Sequence, residues 1–309
     1  MLKDFLSIHH LSVYEFNEIL DLAQKMKAKP DKFKSSLRGK ILAMIFQKPS
    51  LRTRVTFEVG MLQLGGEAIY LAPADIQLGS RETPFDVAKN LERWVDGIMA
   101  RTFAHSIVVD LAEAARIPVV NALTDLLHPC QAMADFLTLR EKKGDLSQLK
   151  LAYVGDGNNV CHSLMLAGAK AGTKLAVATP QGYEPQPEIV NQAREDGQST
   201  GFALSLTNDP IEAVREADAI YTDVWASMGQ EQEKEKRAQI FASFQVNTTL
   251  MAQAKPEAIF MHCLPAHRGE EVTSEVIDSP QSVVFDQAEN RLHVQKAILW
   301  LLMGQEKSV

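Results

Sequence analysis

The stretch "ILAMIFQKPSLRTRVTFEVGMLQLGG", residues 41–66, decides the fold. Its first six residues are an unbroken apolar run, the pattern of a strand buried on both faces. Pro49 and Ser50 interrupt it, and Ser50 then opens a helical pattern that stops at Gly65 and Gly66. A buried strand feeding straight into a helix is the half-unit of a parallel sheet, whose neighbouring strands need a crossover between them.

The same alternation recurs along the chain. "AIYLA", "DGIMA", "IPVVNAL", "LKLAYVG", "TKLAVAT", "DAIYTDV" and "AIFMHCL" read as strands. Helical patterns such as "PFDVAKNLERWV", "PCQAMADFLTLREKKG" and "DPIEAVREA" separate most of them. Near the start, Ser12 and Glu15 stand in capping-box spacing ahead of a further amphipathic helix. The expected class is α/β, with two doubly wound parallel-sheet domains and the active site in the cleft between them. A chain of 309 residues fits two domains of about 150 each. The polar segment "REKKGDLSQLK" (140–150) marks the boundary. The last helix, "NRLHVQKAILWLLMG", carries an apolar stripe too wide for a free tail and is expected to return to the first domain.

Hydrophobic residues make up 46% and charged residues 23%, an ordinary globular balance. A net charge of -7 argues against a general nucleic-acid binder, so any anion site must be a local pocket. Three cysteines, at 130, 161 and 263, make no disulfide framework. No apolar run has signal-peptide or membrane-spanning length, and a cytoplasmic, soluble protein is expected.

The polar clusters fall just after the strands. In "PSLRTR", Ser50 suits an N-cap, and the amides behind it, with the helix dipole, favour a phosphate. Ser50 and Thr53 add hydroxyls, and Arg52 adds a bidentate donor. Arg52 and Arg54 lie roughly 200° apart on a helix, so they cannot serve one ligand. Arg54 instead stands four residues before Glu58, the spacing of an ion pair along a helix. A merely solvated helix cap is the competing reading. His128 and Gln131, three apart in "LLHPCQAMADF", suit one polar substrate group or a simple helix cap equally well. "GDGNN" lacks the third glycine of a dinucleotide fingerprint, because Val160 occupies its place. Asp223 can pair with an amine, and "SMG" after it reads as a closing loop followed by a solvated charged helix. Cys161-His162 and His262-Cys263 bring zinc to mind, yet adjacent strand residues face opposite ways and no C-x-x-C spacing exists. The expectation is no metal and no cofactor.

Taken in order, "FQKPSLRTRVTFEVGMLQLGG", "HPCQAMADFLTL", "VGDGNNVCHSLM", "DVWASMGQE" and "HCLPAHRGEEV" resemble the aspartate/ornithine carbamoyltransferase family over nearly the whole chain. "DVWASMG" and "HCLP" resemble its ornithine-using branch. The resemblance implies a carbamoyl-phosphate domain over 1–140, with a C-terminal helix of about 291–309 packed back on it, and an ornithine domain over 141–290. It implies carbamoyl transfer from carbamoyl phosphate to the δ-amine of L-ornithine, giving citrulline and phosphate, with putrescine or an acylated ornithine as the alternative acceptor. It further implies a homotrimer, or a multiple of trimers, with no nucleic-acid or membrane partner. Ser50, Leu51, Arg52 and Thr53 match the phosphate loop, and Arg101, His128 and Gln131 surround the carbamoyl group. Gln77 matches a residue given to a neighbouring subunit, and Arg291 a late carbamoyl-phosphate contact. Asn159, Asp223, Ser227 and Met228 match the ornithine positions, with Cys263 and Leu264 near the reacting amine. Leu51 departs from the threonine common there, though its backbone amide serves equally. Arg101, His128 and Cys263 are the catalytic candidates.

Overall fold

The computed structural model describes residues 2–79, 81–226 and 233–304. The chain divides into two compact units, Met1–Leu137 with Asn290–Val309, and Thr138–Glu289.

In the first unit the strands are β1 (Ile41–Phe46), β2 (Glu67–Leu71), β3 (Gly97–Arg101) and β4 (Val119–Leu123), in the order β2-β1-β3-β4. All pairs are parallel, and Phe46 stands opposite Arg101 at the carboxyl end. Around them run α1 (Val13–Ala28), α2 (Leu51–Gln63), α3 (Pro73–Ile76), α4 (Pro84–Leu91), α5 (His105–Ala114) and α6 (Pro129–Lys143). The capping box at Ser12 and Glu15 is present at α1. Gly65 ends α2 with φ of 84°, and a Cβ there would meet the Lys34 carbonyl oxygen at 2.5 Å. Ile45, Ile98, Ala100, Val108, Leu111 and Val119 form the core between β1, β3, β4 and α5.

The second unit holds β5 (Lys150–Val154), β6 (Lys174–Ala178), β7 (Ala203–Thr207), β8 (Ala219–Thr222) and β9 (Ile259–His262). Their order is β7-β6-β5-β8-β9, again wholly parallel. The helices are α7 (Asn159–Ala171), α8 (Pro187–Asp196), α9 (Pro210–Val214), α10 (Lys234–Phe241), α11 (Thr248–Met251) and α12 (Ser274–Ile277). Ile220, Trp225, Phe241, Phe244 and Phe260 are the large members of its core.

Two features differ from expectation. β7 is an added strand, because "ALSLT" is an edge strand whose side chains are all exposed or half-buried and lacks an apolar run. The last helix, α13 (Val284–Met303), begins before Asn290. Polar residues hide its first turns, since Gln287 is buried and hydrogen-bonded, accepting from the His262 amide at 3.0 Å and donating to the Tyr221 hydroxyl at 3.1 Å. The strand order reverses between β1 and β3 in one unit and between β5 and β8 in the other. Ligands of open α/β sheets bind beyond the carboxyl ends at such reversals.

Candidate functional site

The first unit gathers arginines at its strand-order reversal. Ser50 caps α2, its hydroxyl accepting from the Thr53 amide at 3.2 Å. The earlier amides of a helix have no partner within it, so the Leu51 and Arg52 N–H groups stand at the positive end of the α2 dipole. Arg101 is the last residue of β3 and is buried, as are Thr53, His128 and Gln131. Arg291, on α13, donates to the Gln131 amide oxygen at 2.7 Å and to the Thr53 hydroxyl at 3.2 Å. Gln131 passes this on to Asp135, donating at 2.7 Å. With its amide turned so that oxygen faces Arg291, Gln295 accepts at 3.1 Å from Nη2 and donates to Thr56 at 2.6 Å.

Burial, followed by the positive fields of Arg291, Arg101 and Arg52, holds the His128 imidazole well below its usual value. His128 is therefore neutral near pH 7, a hydrogen-bonding group that adds no charge beside the guanidiniums. Thus Ser50, Thr53, Gln131, Arg291 and His128 are brought together with Arg52 and Arg101. Leu51 places its side chain in solvent, 75% exposed, and only its backbone belongs to this group. Gln77 is exposed and left-handed, with φ of 49°. Arg54 lies on the other side of α2, 3.6 Å from Glu58 and 3.9 Å above the Tyr70 ring.

The second unit gathers a carboxylate, a thiol and an amide. Asp223 follows β8, and Cys263 follows β9 and donates to Asp223 Oδ1 at 2.9 Å. Leu264 has φ of 57°, and its N–H donates to His262 Nδ1 at 2.8 Å. Gln77 and Leu264 are two of the three left-handed residues other than glycine among those described, and such backbone concentrates at functional sites. Asn159 is the first residue of α7. Ser227 and Met228, and most of the expected closing loop, lie outside the described residues.

Sequence reasoning missed three things. Asn158 caps α7, and its Nδ2 donates to Asp223 Oδ2 at 2.8 Å. The doubled asparagine in "GDGNN" was the available signal. Gly157 is held where a Cβ would meet the Pro185 nitrogen at 2.3 Å, so the close approach of loop 183–185 requires this glycine and dinucleotide binding is not its reason. Arg237 corrects the solvated-helix expectation for the charge run. It is buried, 3.1 Å from Asp156, and donates to Glu233 at 3.0 Å and the Trp225 carbonyl at 2.8 Å. Its guanidinium also lies 4.9 Å over Tyr183. Burial pushes the Asp156 carboxyl up to about 6, outweighing the pull of Arg237.

Potential metal donors are engaged in protein contacts. His262 uses Nδ1 for the Leu264 amide, and its Nε2 lies 3.3 Å from Glu271. His162 Nε2 accepts from the Gln186 amide at 3.0 Å. Burial pushes the Cys130 thiol up to about 12 and Cys161 well above its ordinary value, so neither is a thiolate.

Fold and residues define a class: a two-domain, parallel-sheet α/β protein with a cationic cluster at one strand-order reversal and a carboxylate held by a thiol and an amide at the other. Residues 3–141 match the family model for the aspartate/ornithine carbamoyltransferase carbamoyl-P binding domain. Residues 147–302 match that for the Asp/Orn binding domain. The ornithine carbamoyltransferase of Thermococcus kodakarensis is 57% identical, over 98% of this chain and 96% of that protein. That of Bacillus subtilis is 53% identical, over 99% of this chain and 95% of that protein. The structure of ornithine carbamoyltransferase from Pyrococcus furiosus aligns with a TM-score of 0.96 and 55% identity, covering 99% of this chain and 98% of that one. The chain belongs to the aspartate/ornithine carbamoyltransferase family.

Proposed function

We propose that the protein is an ornithine carbamoyltransferase, moving the carbamoyl group of carbamoyl phosphate to the δ-amine of L-ornithine. The observation that carries this is the buried cluster of Arg101, His128 and Gln131, with Arg291 bonded to Gln131 and Thr53 behind the helix start that bears Arg52. Such a cluster holds a small dianion, while its neutral imidazole donates to a carbonyl oxygen. Ser50, Leu51, Arg52 and Thr53 take the phosphate through hydroxyls, backbone amides and a guanidinium. Arg101, His128 and Gln131 surround the carbamoyl group, and Arg291 approaches from α13. Gln77 serves a neighbouring subunit.

The second unit takes ornithine. Asp223 holds an amine of the amino acid; Asn159, Ser227 and Met228 complete its recognition, and Cys263 and Leu264 lie by the attacking nitrogen. The neutral δ-amine attacks the carbonyl carbon, forming the C–N bond. The tetrahedral intermediate then breaks its C–O bond to phosphate, and the nitrogen's surplus proton leaves with the phosphate as hydrogen phosphate. Arg101, His128 and Thr53 stabilise the oxyanion, while Arg52 and the α2 N-terminus balance charge on departing phosphate. Holding two small substrates in line supplies about 7–11 kcal/mol of the acceleration. No step requires a metal or a covalent enzyme intermediate.

The protein works as a homotrimer, or a multiple of trimers. Leu51, Val55 and Leu62, 75%, 45% and 62% exposed, share one side of α2, as an apolar face awaiting a partner does. No helix among the described residues is long and apolar enough to cross a membrane. The cysteines of the described residues are outside any disulfide, which suits the cytoplasm. A relative from Pyrococcus furiosus is named an anabolic ornithine carbamoyltransferase, which supports a place in arginine synthesis. The test is citrulline formation from carbamoyl phosphate with ornithine, putrescine and acetylornithine. Preference for free ornithine is expected. Folded protein that makes no citrulline above the uncatalysed background overturns the reading.

A further inference from the structure

The geometry points to Asn158 as the positioning residue that fixes the carboxylate of Asp223. This rests on the reading that Asp223 grips a substrate amine. Asn158 Oδ1 accepts from the amides of Val160 at 3.0 Å and Cys161 at 3.1 Å, closing the first turn of α7. The Tyr153 hydroxyl stands 3.3 Å from the same oxygen and donates to the Asp156 carbonyl at 2.7 Å. Burial holds the Tyr153 phenol well above its ordinary value, so it stays protonated.

With its oxygen committed to the cap, the amide of Asn158 has one orientation. Its nitrogen must face away from the helix, and there it meets Asp223 Oδ2 at 2.8 Å. Cys263 meets the other oxygen at 2.9 Å. Each oxygen of one carboxylate therefore has its own donor, on separate elements: α7 for the amide and the end of β9 for the thiol. A carboxylate pinned at both oxygens cannot rotate about its Cβ–Cγ bond. Because the amide is uncharged, the full negative charge stays available to a substrate ammonium. Asn158 thus does two jobs with two ends of one amide, and the ends are separable.

Substitution separates them. Ser keeps the capping oxygen and loses the reach to Asp223; Asp keeps the cap and sets a second carboxylate against the first. Steady-state kinetics and melting temperature on the full chain compare wild type, Asn158→Ser and Asn158→Asp. The expected result for Asn158→Ser is an ornithine KM raised about tenfold or more, the loss typical of a hydrogen bond to a charged group. Its carbamoyl-phosphate KM and melting temperature stay near wild type. For Asn158→Asp, kcat/KM for ornithine relative to wild type recovers as pH falls, because the carboxylate pair takes up a shared proton. The titratable and charged groups near that pair include Tyr153, Asp156, Cys161, His262 and Cys263, with Arg237 and Glu233 beside Asp156, all present in both proteins, so the ratio isolates the new carboxylate.

An unchanged ornithine KM in Asn158→Ser, or an Asn158→Asp defect independent of pH, overturns the inference. Loss of folding in both variants overturns it too, by assigning Asn158 to stability alone. Absence of citrulline from the wild type instead removes the parent reading, so the two failures are distinguishable.

Discussion

Two buried arginines, Arg291 and Arg237, are put to opposite uses. Arg291 donates to the neutral oxygens of Gln131 and Thr53, and its positive charge is felt at His128 and Cys130. Arg237 is set against the carboxylates of Asp156 and Glu233. Neutral acceptors orient a guanidinium and leave its charge for a ligand; carboxylates consume that charge locally. A buried arginine announces a binding site only through the partners it keeps.

Replacing each arginine tests this contrast first. Arg237→Met leaves Asp156 buried without its counter-charge, and unfolding in urea should show a loss of about 3–5 kcal/mol. Arg291→Met should instead show its main effect as a raised carbamoyl-phosphate KM. A catalytic defect in Arg237→Met as large as that in Arg291→Met, at equal folded fraction, breaks the comparison. Under the proposed role of Arg101 as an oxyanion donor, Arg101→Ala should lower kcat by about 10²–10³. Calorimetry with Arg52→Ala should detect no carbamoyl-phosphate binding, and unchanged affinity would remove Arg52 from its role. On the acidic side, Asp223→Ala should raise the ornithine KM by about tenfold to a hundredfold while carbamoyl-phosphate binding persists.

The pH dependence of stability is a smaller effect. His128 is held below its ordinary 6.5, so the unfolded chain binds the extra proton more readily. Its contribution is present above 6.5 and is lost as pH falls towards the folded value. The urea midpoint of the wild type should therefore drop more between about pH 7 and about pH 5 than that of His128→Asn. Asp156 has the opposite sign: raised to about 6, its contribution is fullest below 3.8 and is lost as pH rises through 6. Smallest of all is Arg54→Gln, which breaks the exposed pair with Glu58 and the contact with the Tyr70 ring at a cost of about 1 kcal/mol by the same unfolding measurement.

The fold was legible because parallel strands buried on both faces write themselves as apolar runs, as at 41–46 and 150–154. β7 was not, since an edge strand needs only half its side chains apolar. Ser50 and Arg54 were legible because helix spacing is local geometry. Asn158 and Arg237 were not, because their partners stand 65 and 81 positions away along the chain, the latter being 237 − 156. A charge run on a helix looks solvated until the fold reveals which member turns inward. Glycine spacing in "GDGNN" excluded a dinucleotide site without indicating that Gly157 answers to the chain at 183–185.

The return of α13 to the first unit has a consequence for synthesis. The bonds from Arg291 reach back 238 residues to Thr53 and 160 to Gln131. On the ribosome, residues 138–289 form a continuous stretch and can complete their sheet as they emerge. The N-terminal unit begins earlier and finishes later, because it waits for the residues from Asn290 onward, which are translated after the whole of the second unit. A truncated product, or a nascent chain still tethered, has α2 and α6 without the arginine that joins them. Translation itself therefore times when the cationic cluster becomes complete.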